Sequence, residues 1–170
     1  MTRDEMQGAL MELGTQLESE GVQAKLWLVG GAVMVLAYQS RDASDDLDAA
    51  VYPPDEVLRI AREVGLRRGL EADWLNDAAK IYIPLAVEPD WQFLGYYGAL
   101  EVLRADDHTM LAMKLRASRG RRDQDDIAYL IARCGFTSEA EVMQMYERYF
   151  PEDPLPQRAR PLIRAVLGTD

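Results

Sequence analysis

Apolar residues change their spacing several times along the chain, and each change marks an element. Met6, Leu10, Leu13 and Leu17 recur at three- and four-residue steps among charged neighbours, which predicts an amphipathic helix over residues 4–20, ended by Gly21. The short run Leu26, Trp27, Leu28 and Val29, closed by Gly30-Gly31, reads as a buried strand entering a tight turn. An apolar helix, a polar loop and a second strand bearing Asp46 and Asp48 follow. Pro53-Pro54 stops that strand and starts a helix, which buries Val57, Ile60, Ala61 and Val64 and reaches about Arg68, with Gly65 and Gly69 near its end.

The pattern is more mixed from Glu71 to Ala105. Trp74, Trp91, Tyr96 and Tyr97 alternate with breaks at Pro84 and Pro89, so either Ile81–Val87 or Trp91–Tyr97 fits a strand, before the run Leu100–Leu103. This region is expected to complete the sheet, with Asp73–Asp77 as a functional loop. From Asp106 the period is helical. Met110, Leu111, Met113, Leu115 and Ala117 belong to one helix; after Gly120, Ile127, Tyr129, Leu130 and Ile131 belong to a second, ended by Gly135. Ser138 with Glu141 three residues on is a capping box for a third helix reaching about Tyr149. The PEDPLP break precedes a short helix around Leu162 to Leu167. The expected fold is α/β (α+β), a mixed sheet flanked by helices: residues 1–105 form the core with its N-terminal helix, and residues 106–170 form a helical region within one structural domain.

Composition narrows the chemistry. The 170 residues are 48% apolar, enough to fill a core, yet no apolar run approaches the ~18 residues of a membrane span. The acidic, periodic N-terminus is unlike a secretory signal, and the lone Cys134 fits a reducing compartment, so a cytoplasmic protein is expected. With one cysteine and one histidine, His108, zinc sites and Ser-His-Asp or Cys-His catalysis have almost nothing to work with. Any metal should be a hard cation held by oxygen, Mg²⁺ or Mn²⁺. A net charge of −10 opposes broad DNA binding, although Arg116, Arg119, Arg121 and Arg122 cluster locally.

Two features carry candidate chemistry. Asp46 and Asp48, one residue apart on a strand, project to the same side about 7 Å apart. That spacing suits a divalent ion, against the plainer reading of a solvated edge strand. Gly30-Gly31, after a strand and opening a helix, let backbone N–H groups approach a phosphate, against the plainer reading of an ordinary turn. The glycines match neither a Rossmann fingerprint nor a P-loop, since no correctly spaced third small residue and no Gly-Lys-Ser/Thr follows.

Gly30-Gly31, fourteen intervening residues and then Asp46-Leu47-Asp48 with apolar neighbours resemble the signature of the DNA polymerase β-like nucleotidyltransferases. Arg41, Ser44, Asp46, Leu47 and Asp48 look most like the small bacterial branch found among toxin–antitoxin and abortive-infection proteins. The segment with Leu111, Lys114, Ala117, Arg122, Asp123 and Asp126 is similar to the stretch that follows the sheet there; otherwise it reads as a charged helical face with local ion pairs. The resemblance implies a nucleotidyltransferase-type sheet and a metal-dependent transfer of a nucleotidyl group from NTP to a hydroxyl on RNA, protein or a small molecule. Asp46 and Asp48 would hold the metal, Gly30, Gly31, Arg41, Ser44, Lys114 and Arg122 would bind the nucleotide, and the partners would be tRNA or a cognate toxin or antitoxin protein. A third carboxylate is expected on a later strand, where the matching position is Gln92; Asp73, Asp77, Glu88, Asp90 and Glu101 are the alternatives. Without it, the reading shifts to a non-catalytic binding or antitoxin module. A helical protein-interaction module is the remaining alternative.

Overall fold

Thr2 starts the first helix by a reciprocal cap. Its backbone N–H donates to Glu5 at 2.7 Å while its hydroxyl accepts from the Glu5 N–H, which satisfies two donors that helix α1 (Arg3–Ser19) would otherwise leave open. The structure is a computed structural model that describes residues 1–168, apart from the side chains of Arg121 and Arg122. Among the described residues there are seven α-helices and one five-stranded mixed sheet, an α/β fold. The chain divides into two compact units. One comprises Met1–Ile81 with Trp91–Ala105, the other Tyr82–Asp90 with the chain from Asp106 on.

The first unit holds the sheet. After α1 come β1 (Ala24–Leu28), α2 (Gly30–Val33) running into a π-helical turn (Met34–Tyr38), β2 (Leu47–Tyr52), α3 (Pro54–Arg68), β3 (Leu75–Asn76), a 3-10 turn (Ala78–Tyr82), β4 (Gln92–Tyr97) and β5 (Leu100–Arg104). The order is β3-β2-β1-β5-β4; β1 pairs antiparallel with β2 and parallel with β5. Side chains alternate across this sheet. Leu26, Leu28, Leu47, Ala49, Leu100 and Val102 are buried on one face, where α1 and α3 pack. On the other face Lys25, Trp27, Asp48, Ala50, Tyr52, Glu101 and Leu103 are half-buried or exposed. A bulge between Phe93 and Gly95 lets Phe93 and Tyr96, three residues apart, pair with Leu103 and Glu101 of that same open face. Their rings lie 4.9 Å apart and both are mostly exposed.

Two sequence expectations change here. Asp73–Asp77 is not a free loop: Trp74 is buried and its indole N–H donates to the Ala61 carbonyl at 2.7 Å, which brings Leu75 and Asn76 alongside Leu47 and Asp48 as a strand. Ile81–Val87 is not a strand, because Ile81 and Tyr82 finish a 3-10 turn and Leu85 is 99% exposed, so its apolar residues find no sheet to join. Trp91–Tyr97 supplies the strand instead, as β4. Helix α1 approaches the β4–β5 turn so closely that a Cβ at Gly14 would lie 1.6 Å from the Tyr97 carbonyl oxygen.

The second unit is helical: α4 (Asp107–Ala117), a 3-10 turn (Gly120–Asp123), α5 (Gln124–Cys134), α6 (Glu139–Tyr149) and α7 (Ala159–Leu167). Asp106 caps α4, accepting at 3.0 Å from the His108 and Thr109 N–H groups. Every position from Thr109 to Leu115 is buried, so α4 is a central helix rather than a two-faced one, packed against α5 and α6. The Ser138…Glu141 capping box forms as its spacing predicts. Cys134 ends α5, and burial, followed by the charges of Asp107 and Asp106, pushes its thiol up to about 12, so it is no nucleophile near neutral pH.

Candidate functional site

The glycine turn and the acidic strand meet at one end of the sheet. β1 runs out at Leu28, the Val29 N–H donates to the Asp48 carbonyl at 3.0 Å, and Gly30 then turns the chain into α2 with a φ of +70°, a conformation that favours glycine. A Cβ at Gly30 would lie 2.9 Å from Asp48 Oδ2, so the carboxylate rests against the bare backbone of the turn. Gly31 is equally close to the loop before β2: a Cβ there would meet Ser44 Oγ at 2.3 Å and an Arg41 guanidinium nitrogen at 3.4 Å. That loop is held by the start of the chain, through the Ser44 N–H donating to the Met1 carbonyl at 3.0 Å and a bridge between Thr2 and Ala43.

Asp46 stands just before β2 and its Oδ2 accepts from Asn76 Nδ2 at 3.0 Å, while Asn76 lies beside Asp48 in the β2–β3 pairing. Six predicted residues, Gly30, Gly31, Arg41, Ser44, Asp46 and Asp48, therefore belong to one end of one unit. Asn76 joins them although sequence reasoning placed it only in a loop. Helix α2 widens at once into a π-helical turn, a geometry that recurs at functional sites, and its last residue Tyr38 accepts a hydrogen bond from Arg104 at 2.8 Å. Arg104 stands opposite Leu28 across β1 and β5, its guanidinium 4.9 Å from the Tyr38 ring centre. It also donates to the side chain of Gln92. Gln92, the position expected for a third carboxylate, is thus the acceptor for an arginine.

The other predicted residues lie in the second unit. Lys114 is buried on α4, with its ammonium 2.7 Å from Asp126 Oδ2 and 3.6 Å from Asp123 Oδ1. Arg122 belongs to the Gly120–Asp123 turn and its side chain lies outside what the structure describes. Burial pushes the Asp123 carboxyl up. The Arg119 guanidinium and backbone N–H, at 3.1 and 2.7 Å, and the nearby Lys114 charge outweigh this and leave it below the usual carboxylate value. Its stabilising contribution is then present above the unfolded pKa of about 3.9 and is lost as pH falls through the lower folded value. Urea midpoints should accordingly drop as pH falls below about 4, and drop less in Asp123→Asn.

Compared with protein-family models, curated proteins and solved structures, the chain matches none. Among the described residues no three His, Cys, Asp or Glu side chains group as a metal site. Mg²⁺ nevertheless fits a smaller set, since it keeps several waters and is commonly held by one or two carboxylates together with substrate phosphates. Asp46 and Asp48 are the two carboxylates at this end of β2. Glu101 is not a third member: it lies in the row of Tyr52, about 13 Å along the strand direction from Asp48, and pairs with Lys25 at 2.8 Å.

Proposed function

We propose that the first unit binds a nucleoside triphosphate with Mg²⁺ at the Gly30-Gly31 turn and the Asp46–Asp48 pair, and transfers its nucleotidyl group to a hydroxyl acceptor. The observation that carries this reading is the contact of the Asp48 carboxylate with the Gly30 backbone. It puts the backbone of a strand-to-helix glycine turn, the kind of element that binds phosphates, directly beside a carboxylate. In the transfer, an acceptor oxygen bonds to the α-phosphorus, the bond to the bridging oxygen breaks, pyrophosphate leaves and the acceptor gives up its proton. Bound Mg²⁺ would supply charge neutralisation on the phosphates. Gly30 and Gly31 let Asp48, Ser44 and Arg41 pack against the turn where a Cβ would clash, and Asn76 fixes the orientation of Asp46.

A second reading rests on the absence of a third clustered carboxylate among the described residues. A site with two acids and Gln92 in place of a third would bind nucleotide and lack the base for the acceptor proton, leaving a binding or antitoxin module. Calorimetry with an NTP non-hydrolysable at its α,β bridge, with and without Mg²⁺, should show Mg²⁺-dependent binding that weakens about tenfold or more in Asp48→Asn. Equal heats in the two proteins, or none in either, would reject the nucleotide site. Labelled NTPs with RNA and protein extracts then separate the two readings: transfer lost by about 100-fold in Asp46→Asn marks an enzyme, and binding without transfer marks the module.

A further inference from the structure

The second unit carries a groove that the nucleotide reading does not use. It is about 660 Å³ in volume and runs between α6 and the Pro151–Pro156 connection. A neighbouring hollow of about 540 Å³ shares Met143, Glu147 and Arg160 with it, so the depression continues along α6 toward Glu139. Glu139, Met143 and Glu147 follow one another at four-residue steps and form one wall; Pro151 and Pro154 stiffen the other. Met143, Phe150 and Leu155 supply apolar surface between the walls.

Charge is distributed unevenly around this apolar strip. Glu139 is already engaged by Arg164 at 2.8 Å and Arg160 at 3.8 Å, and Asp153 by Arg116 at 2.6 Å. Glu147 and Glu152 line the groove, are exposed, and have no ion-pair partner among the described residues. Phosphate-bearing partners, nucleic acid or anionic lipid, would be repelled by them. A second copy of a chain with net charge −10 would be repelled as a whole.

We infer that this groove docks a basic segment of another protein, one aliphatic side chain entering over Met143 and Leu155 while flanking Lys or Arg side chains pair with Glu147 and Glu152. The proline-bounded wall is formed before binding, so little ordering entropy opposes the contact, and methionine adapts to more than one aliphatic shape. A fluorescein-labelled peptide of alternating Lys and Leu residues, titrated into the whole chain and followed by anisotropy, tests the assignment against the same peptide with Glu for Lys. The Lys peptide should bind and the Glu peptide should not. Affinity should fall about tenfold or more in the double variant Glu147→Lys/Glu152→Lys, and stay within about twofold in Glu18→Lys/Glu71→Lys, which changes the net charge equally at exposed positions of the first unit. Leu155→Ser should weaken binding without altering its salt dependence. Equal losses in the two double variants would mean diffuse charge attraction and overturn the assignment, as would no binding or unchanged affinity in Glu147→Lys/Glu152→Lys. Concentration-dependent sedimentation abolished by those substitutions would give the groove to a second copy and overturn it too.

Discussion

Adding one methyl group at Gly14 is expected to cost about 3 kcal/mol of stability, read as a shift of the urea midpoint with an unchanged slope. The new carbon would stand 1.6 Å from the Tyr97 carbonyl oxygen and 2.5 Å from its carbonyl carbon, both backbone atoms that no side-chain rotation can move. Either α1 withdraws from the β4–β5 turn or the turn distorts. Withdrawal would loosen the Ala99 N–H bond to the Gly14 carbonyl, now 3.3 Å. Gly98 makes the approach mutual, because a Cβ there would meet the Gly14 backbone at 2.8 Å. Gly8→Ala on the same helix is the control. Its Cβ would meet only the end of the flexible Arg68 side chain, so the gain in helix propensity, about 1 kcal/mol, should leave it neutral or stabilised. A Gly14→Ala protein as stable as the parent would refute this packing.

Lys114→Ala is expected to be the other severe change. Lys114, Asp123 and Asp126 are all buried, and removing the ammonium leaves two carboxylates from the turn and α5 without the cation that joins them to α4. Breaking a buried pair in this way costs about 3–5 kcal/mol, whereas replacing both partners by apolar groups is often nearly neutral. Lys114→Met with Asp126→Leu should therefore recover much of the loss, since Arg119 still pairs with Asp123. Thermal unfolding distinguishes this role from phosphate binding. A lysine that held nucleotide would lose affinity on substitution with little change in stability; a lysine that joins helices does the reverse.

The elements legible in the sequence were those whose signal is local. α1, α3 and α6 have clear periodicity or capping, and Pro54 and Ser138 stand where those helices begin. The glycine turn and the acidic strand were each legible, and their meeting follows from the pairing: an antiparallel pair joined by one short helix returns the chain to the point where it left the sheet. β3 was not. It is two residues long, and the force that aligns it is the burial of Trp74 against α3, while Asn76 within it and Asp73 and Asp77 beside it spell a polar loop. Asn76 and Arg104 escaped for a related reason: a polar residue at a strand end has no sequence mark, and its role depends on which strand lies next to it. α4 was recognised as a helix, but its buried circumference made Lys114 look like a residue on a charged face.

The displaced residue between Phe93 and Gly95 affects more than the direction of two rings. β4 lies at one margin of the sheet, where an uninterrupted ladder would offer its free N–H and C=O groups to any extended polypeptide in solution. The irregularity breaks that ladder, and β3 at the opposite margin offers only two residues. Neither border is a good template for amyloid-like stacking, so the open aromatic face can stay exposed without drawing molecules together edge to edge.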